Sequence, residues 1–431
     1  MIKELTMEKT SLPDGWSIKV LSDFTETING LWTGKKEPYI PVKVYTMSNF
    51  TKGCDLNHSK KAREVIASVS QYEKRKLKYG DIIIEKSGGG PNQPVGRAVL
   101  FNIKNNEENT FSNFTTRLRI CEKNKIDVNS NYLHKFLKLQ YLTGVTEKFQ
   151  KNSTNIRNLQ LKEYLQLEIP LPPLPQQKQI VAILDKAFAA IDTAKTNAEQ
   201  NLQNAKELFS SYLQNVFENK GDDWEKCEFG NIITTLTDYH ANGSYKILKK
   251  NVELKDTDDY AWMIRSTDFE KKFKNSFKYI DEHAYNFMSK SKVLGNEIIM
   301  SKIGNAGKIY LMPKVERPTS LAMNLFLIRL DENKTLPEFI FRFLKSNKGE
   351  SQIQKRVKGA TTKTITKDNV RNIIISFPSI VEQKIIIKKL DSLSAETKKL
   401  EAIYKQKIAD LEEMKKSVLQ KAFSGQLNTI N

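Results

Sequence analysis

Ile169-Pro-Leu-Pro-Pro-Leu-Pro-Gln-Gln-Lys-Gln-Ile180 decides how the rest of the chain is read. Its middle, from Pro170 to Lys178, returns in degenerate form as Ser376-Phe-Pro-Ser-Ile-Val-Glu-Gln-Lys384, at an offset of 206 residues. Downstream the same offset persists. Ile180, Leu184, Ala187, Ile191, Ala194, Ala198, Leu202, Ala205 and Leu208 recur at steps of three and four, and so do Ile386, Leu390, Leu393, Thr397, Leu400, Tyr404, Ile408, Leu411 and Met414. A shared phase over that length argues for duplication, and the spacing predicts two long helices. Upstream, Asp14-Gly15-Trp16 matches Asp222-Asp223-Trp224 at an offset of 208. Gly80-Asp-Ile-Ile-Ile-Glu-Lys-Ser-Gly88 matches Gly295-Asn-Glu-Ile-Ile-Met-Ser-Lys-Ile-Gly304 with one inserted residue. Each half therefore runs from a tryptophan segment through a mixed region and a strand with a glycine loop to a proline bend and a long helix.

The helix ends have chemical signatures. Ser379 and Glu382 have capping-box spacing, Pro175 suits an opening helical position, and Gly221 and Gly425 suit left-handed C-terminal caps. Helices of about 43–46 residues extend about 65 Å at 1.5 Å per residue. A narrow apolar seam of that length needs a partner, and the other copy is the nearest one. The seam is expected at Ile180, Leu184, Ile191, Leu202, Leu208, Ile386, Leu390, Leu400, Ile408, Leu411 and Met414, with the helices antiparallel. The fold expected is α+β: two pseudo-repeated globular domains, residues 1–175 and 222–379, joined by helices 176–221 and 380–431 in an antiparallel coiled coil. Strands are expected near 81–84, 97–101, 298–301, 307–312 and 324–330, with short helices near 132–142 and 337–346.

The chain has 431 residues and 39% apolar content, enough for more than one core. Lys and Arg exceed Asp and Glu by 69 to 50, a net charge of +19. Residues 176–220 carry none of that excess and 380–423 carry +3, so +16 lies almost entirely in the globular regions. A basic excess held in two duplicated domains suits a polyanion such as DNA. No apolar run approaches the ~18 residues of a membrane span, and MIKELTMEKT lacks the apolar core of a secretory signal, so neither membrane insertion nor secretion is expected. Cys54, Cys121 and Cys227 lie far apart, as do the four histidines, so a metal site is not expected and a reducing compartment is. Neither Gly34-Lys35 nor Gly307-Lys308 completes a phosphate-binding NTPase loop, and G-x-G-x-x-G is absent. No catalytic residue and no bound cofactor are expected.

Contacts to DNA are expected at the two glycine loops, where backbone without Cβ can approach closely. In the first half the candidates are Lys86, Ser87, Gly88, Asn92, Gln93 and Arg97, and in the second Lys302, Asn305 and Lys308. Lysine and arginine suit phosphate or guanine, and the amides suit base edges. A second polar pair, residues 151–158 and 358–365, adds Lys151, Arg157, Lys358 and Lys363. Bare turns on a basic scaffold that binds DNA without sequence preference are the alternative.

The proline bend with its helix start, its degenerate repeat, and the closing Leu419-Gln-Lys-Ala-Phe-Ser-Gly-Gln-Leu427 together resemble the specificity subunit of type I restriction–modification systems. The resemblance spans essentially the whole chain; Gln176 departs from it where Glu382 stands in the second copy. It implies two target recognition domains, each reading one half of a bipartite double-stranded DNA target, with the helices as a ruler. It also implies partners: two modification subunits that methylate adenine N6, and translocating restriction subunits. S-adenosylmethionine, ATP and Mg would then belong to those partners, in a bacterial or archaeal cytoplasm.

Overall fold

The computed structural model describes residues 12–32, 34, 36–90, 93–121, 126–153, 156–274 and 277–427. Two helices dominate it, Leu174–Glu218 and Ile380–Phe423. The chain divides into two compact units that cut both helices near their middles, one made of residues 1–199 and 405–431 and the other of 200–404. The helices are thus shared between the units and do not form domains of their own. No helix among the described residues is long and apolar enough to cross a membrane.

In the first unit, Ser17–Val20 pairs antiparallel with Glu168–Leu171, placing the start of the proline bend beside the segment after Trp16. An edge ladder of this kind tolerates Pro170, which has no N–H to donate. A four-stranded antiparallel sheet follows in the order Thr25–Asn29, Thr115–Ile120, Ile82–Glu85 and Ala98–Leu100. The three isoleucines of its inner strand are buried on both faces, which is why that run lacks polar alternation. A second sheet sets Tyr39–Tyr45 between antiparallel Arg63–Ser68 and parallel Asn109–Phe111. Helix Ser130–Leu142 is capped by Asn129, whose side chain accepts from the amides of Asn131 and Tyr132.

The second unit repeats the plan. Glu225–Glu228 pairs with Ile374–Phe377, and Ile233–Asp238, Leu325–Leu330, Ile298–Ser301 and Ile309–Leu311 form the four-stranded sheet. Ala261–Ile264 lies between antiparallel Lys278–Ile280 and parallel Thr319–Leu321. Helix Pro337–Leu344 takes the place of Ser130–Leu142.

Each globular core runs directly into the helix ends. In the first unit Ile180, Leu184, Phe188 and Ile191 join Leu419, Ala422 and Phe423 in one cluster with Tyr132 and Phe136. In the second, Leu213, Phe217, Ile387 and Leu390 pack with Trp224, Phe339 and Phe343. Trp224 meets Phe217 and Phe339 edge to face, and its indole N–H donates to Glu382 at 3.3 Å. The expected capping box is therefore half made: the Glu382 amide donates to Ser379 Oγ at 3.4 Å, while the Glu382 carboxylate turns to the tryptophan. Pro175 is the second helical residue, one later than expected. Gly425 does cap, at φ +76°, with the Gln426 amide donating to the Lys421 carbonyl. Gly221 does not, since the helix stops at Glu218 and Gly221 has no positive φ.

Inside the first unit the helix segments run antiparallel: Asp192 pairs with Lys415 and Lys195 with Glu412, three residues up one helix and three down the other. Of the expected seam, Ile180, Leu184, Ile191 and Leu390 are buried, and Leu202, Ile386, Ile408 and Leu411 are half-buried. Leu208, Leu400 and Met414 are exposed, against expectation. Burial along the central helix proceeds at seven-residue steps from Ile191 to the small residues Ala198 and Ala205, with Thr397 buried on the other helix. Two helices bury only one narrow stripe each, so residues a step off that stripe face water however apolar they are.

Two buried glutamines explain the repeated Gln-Lys. Gln177 donates to the carbonyls of Pro172 and Asp127 and accepts from the Asn129 amide at 2.8 Å. Gln383 donates to Pro378 and Lys334 and accepts from the Leu336 amide at 2.8 Å. Each ties the long helix to the start of its unit's short helix. Ion pairs Lys135–Asp185 and Arg342–Asp391 repeat at the same places.

Candidate nucleic-acid interface

In an antiparallel sheet, the ends of alternate strands gather with the starts of the strands between them. At one end of the first unit's four-stranded sheet this collects Asn29, Thr115, Glu85 and, through the amide of Glu85 donating to its carbonyl, Arg97. The glycine loop leaves from this end. Ser87–Gly89 becomes a short strand against Ile156–Leu159, which itself pairs with Gln150–Ser153. The glycine loop and the polar segment, about 65 residues apart in sequence, thus form one small sheet, and the Leu159 amide donates to the Lys86 carbonyl at 2.8 Å. A Cβ on Gly89 would meet the Gln93 carbonyl oxygen at 2.2 Å, so the loop closes this tightly only on glycine.

The second unit builds the same junction with fewer residues. Asp238, Leu325, Ser301 and Lys308 share the sheet end, and the amide of Ser301 donates to Lys308. The Ile365 amide donates to the Lys302 carbonyl at 3.1 Å and the Gly304 amide to the Lys363 carbonyl at 2.9 Å. Isolated bridges Ile303–Thr364 and Lys358–Thr364 stand where the first unit has strands. Gly304 sits at φ +82°, a left-handed turn that glycine enters without strain. A cleft of about 370 Å³ opens beside this loop, lined by Asn305, Lys308, Lys345, Glu350 and Lys363 among others.

Charge is unevenly held. Lys151, Lys358 and Lys363 are exposed, with no ion pair recorded for them among the described residues. Gly88, Gln93 and Asn305 are also exposed and Ser87 is half-buried. Lys86 is half-buried and donates to Asn29 Oδ1 at 2.9 Å; burial lowers its pKa from the ordinary lysine value. Lys302 reaches Asp238 at 2.8 Å and Lys308 reaches Glu270 at 2.7 Å. Arg157 is half-buried, 3.4 Å from a Glu147 oxygen. Asn92 lies outside the described residues.

Arg97 is the correction. Its side chain is 9% exposed, and its fork is bidentate on Glu85, itself 1% exposed, with both bonds at 2.8 Å. The Glu85 hydrogen bond raises its pKa further, against the effect of burial. A third N–H points to the Phe50 carbonyl at 3.4 Å, and a guanidinium buried and paired in this way is a strut of the domain, held away from any phosphate or guanine. Its counterpart Lys308 is exposed because Ser301 stands where Glu85 would be.

Sequence reading missed several residues at these ends. Asn29 and Asp238 occupy matching strand termini, and their offset of 209, one from that of the tryptophans, was the signal available. Lys367 joins Asp238 at 3.4 Å. Trp32, 65% exposed, follows Asn29 closely, and Phe114, also exposed, accepts a bond from the Lys86 amide through its backbone carbonyl at 2.9 Å. Exposed aromatics beside basic groups suit contact with bases.

The family model for the type I restriction modification DNA specificity domain matches residues 13–203 and 221–412. The chain is 23% identical to the type I restriction enzyme EcoKI specificity subunit of Escherichia coli strain K12 over 440 residues, covering 98% of this chain and 91% of the relative. It is 24% identical to the putative MjaX specificity subunit of Methanocaldococcus jannaschii over 449 residues, covering 99% and 97%. Among solved structures, the HsdS subunit of Thermoanaerobacter tengcongensis superposes with a TM-score of 0.62 at 15% identity, covering 98% of this chain and 100% of that one. A chain from a type I R-M system solved to explain its assembly and conformational transition superposes at 0.71, also at 15% identity, covering 96% and 99%. At such identities the superpositions speak for the fold alone. With two copies of the family domain over most of its length, the chain belongs to the type I restriction–modification DNA specificity family, as a specificity subunit with two target recognition domains.

Proposed function

We propose that each unit reads one half of a bipartite double-stranded DNA target through the sheet end that carries its glycine loop and polar hairpin. The observation that carries this reading is the duplication of that junction: Leu159 on Lys86 in one unit and Ile365 on Lys302 in the other, each beside exposed lysines. Phosphate contacts set position and base contacts carry sequence, so a reader needs both kinds of side chain at one place. Lys151, Lys358 and Lys363 supply the first kind. Gln93, Asn305 and the exposed aromatics supply the second.

The subunit performs no chemistry in this reading. It presents DNA to two adenine-N6 modification subunits and to restriction subunits, and S-adenosylmethionine, ATP and Mg are bound by those partners in the cytoplasm of the cell. The uninterrupted helices fix the unread spacer between half-sites. Lys358→Ala and Lys363→Ala should each flatten the dependence of log binding constant on log salt by about 0.9, uniformly across DNA sequences, in titrations of the full chain at several salt concentrations. Unchanged slopes would remove the hairpin from the interface. A wild-type chain that binds every duplex equally would favour a coiled-coil scaffold with non-specific DNA affinity.

A further inference from the structure

The two sheet ends differ at one place. In the first unit Lys86 Nζ donates to the neutral amide of Asn29 at 2.9 Å. In the second, the matching strand terminus carries Asp238, whose oxygens hold Lys302 at 2.8 Å and Lys367 at 3.4 Å. The Asp238 side chain is 9% exposed, and the two lysines are about a third exposed. Burial opposes its charged form, yet the Lys302 hydrogen bond and the two ammonium charges outweigh burial and hold the carboxyl below its usual pKa.

We propose that Asp238 is a positioning residue that governs specificity in the second recognition domain by holding Lys302 and Lys367 and cancelling one of their charges. This rests on the functional reading above. A carboxylate at a phosphate-facing end lowers attraction to all DNA alike. It also sets a condition on use of the lysines, because a duplex that draws both ammoniums away from Asp238 strands a buried charge. Only a duplex seated closely enough to satisfy both groups offsets that cost, so loosely seated, wrong sequences are penalised more than the right one. Specificity is a difference of affinities, and a repulsive element sharpens it. The first domain keeps its lysine in place with an amide and no charge cancellation, so it contributes the larger share of sequence-independent attraction.

The test is a reciprocal exchange in the full chain, Asp238→Asn and Asn29→Asp, with binding measured against a duplex carrying the methylated motif found in cells and against its scrambled version. Asp238→Asn should bind scrambled DNA more tightly with a salt slope steeper by about 0.9, so its gain over wild type is about 3.5-fold larger at 50 mM than at 200 mM salt. Its preference for the motif should fall, and the loss should track the half-site read by the second domain. Asn29→Asp should shift the slope by the same amount in the opposite sense. Slopes unchanged in both variants, or weaker scrambled-DNA binding by Asp238→Asn, would overturn the proposal. If Asp238→Asn fails to fold, the sign of the Asn29→Asp shift alone decides. A wild-type chain that prefers neither duplex sinks the half-site reading instead, while the slopes on scrambled DNA still judge the role of Asp238.

Discussion

Exchanging residues 12–175 for the matching segment of a relative with a different target should change one half of the methylated motif and preserve the other, on the proposed reading of one half-site per unit. The reason is architectural. The first unit's four-stranded sheet, its second sheet and its glycine-loop sheet all close within that segment, and Ser17–Val20 pairs with Glu168–Leu171 to seal it. Among the described residues, no strand of the second unit's sheets comes from it. The donor must still satisfy what crosses the boundary: the Gln177 bonds to Pro172 and Asp127, the Lys135–Asp185 pair, and the packing of Tyr132 and Phe136 on Phe423. Each mismatched base pair costs about 1–3 kcal/mol, so a half-motif of several pairs should switch completely. Sequencing of methylated adenines reads the outcome, and a change in both halves would contradict independent reading.

The second large effect is on stability. Arg97→Ala leaves Glu85 charged and buried with no partner, and breaking a buried pair from one side costs about 3–5 kcal/mol. At about 2–4 °C per kcal/mol for a unit of this size, the first unit should melt about 10 °C lower. Replacing both residues, Glu85→Leu with Arg97→Met, should recover most of that loss, because no stranded charge remains. Thermal melts of the three chains separate this strut from a DNA contact. A stable Arg97→Ala chain that binds DNA weakly would return Arg97 to the interface.

The sequence made the duplication legible because repeats constrain each other: two proline bends, two Gln-Lys pairs and two tryptophans at nearly one offset cannot be mistaken for chance. The long helices followed from period, and the buried strand from Ile82-Ile-Ile84. Burial partners were less visible. Arg97 and Lys308 look alike beside a glycine loop, and only the presence of Glu85 against Ser301 makes one a strut and the other a surface cation. Leu208, Leu400 and Met414 satisfy an apolar period, but a helix entering a globular core at its end and meeting a single helix elsewhere changes which stripe is covered. The junction of glycine loop and polar hairpin joins segments about 65 residues apart, and no local signal encodes that pairing. Asn29 and Asp238 escaped because their strands hold short, half-buried Thr-rich runs that carry little period of their own.

The most direct test of the account is to sequence methylated adenines in cells carrying this chain together with its modification partner. A split motif, two short specified words separated by a fixed run of unspecified bases, is the result that two duplicated readers on continuous helices predict. A single uninterrupted word, or methylation with no motif at all, would contradict it.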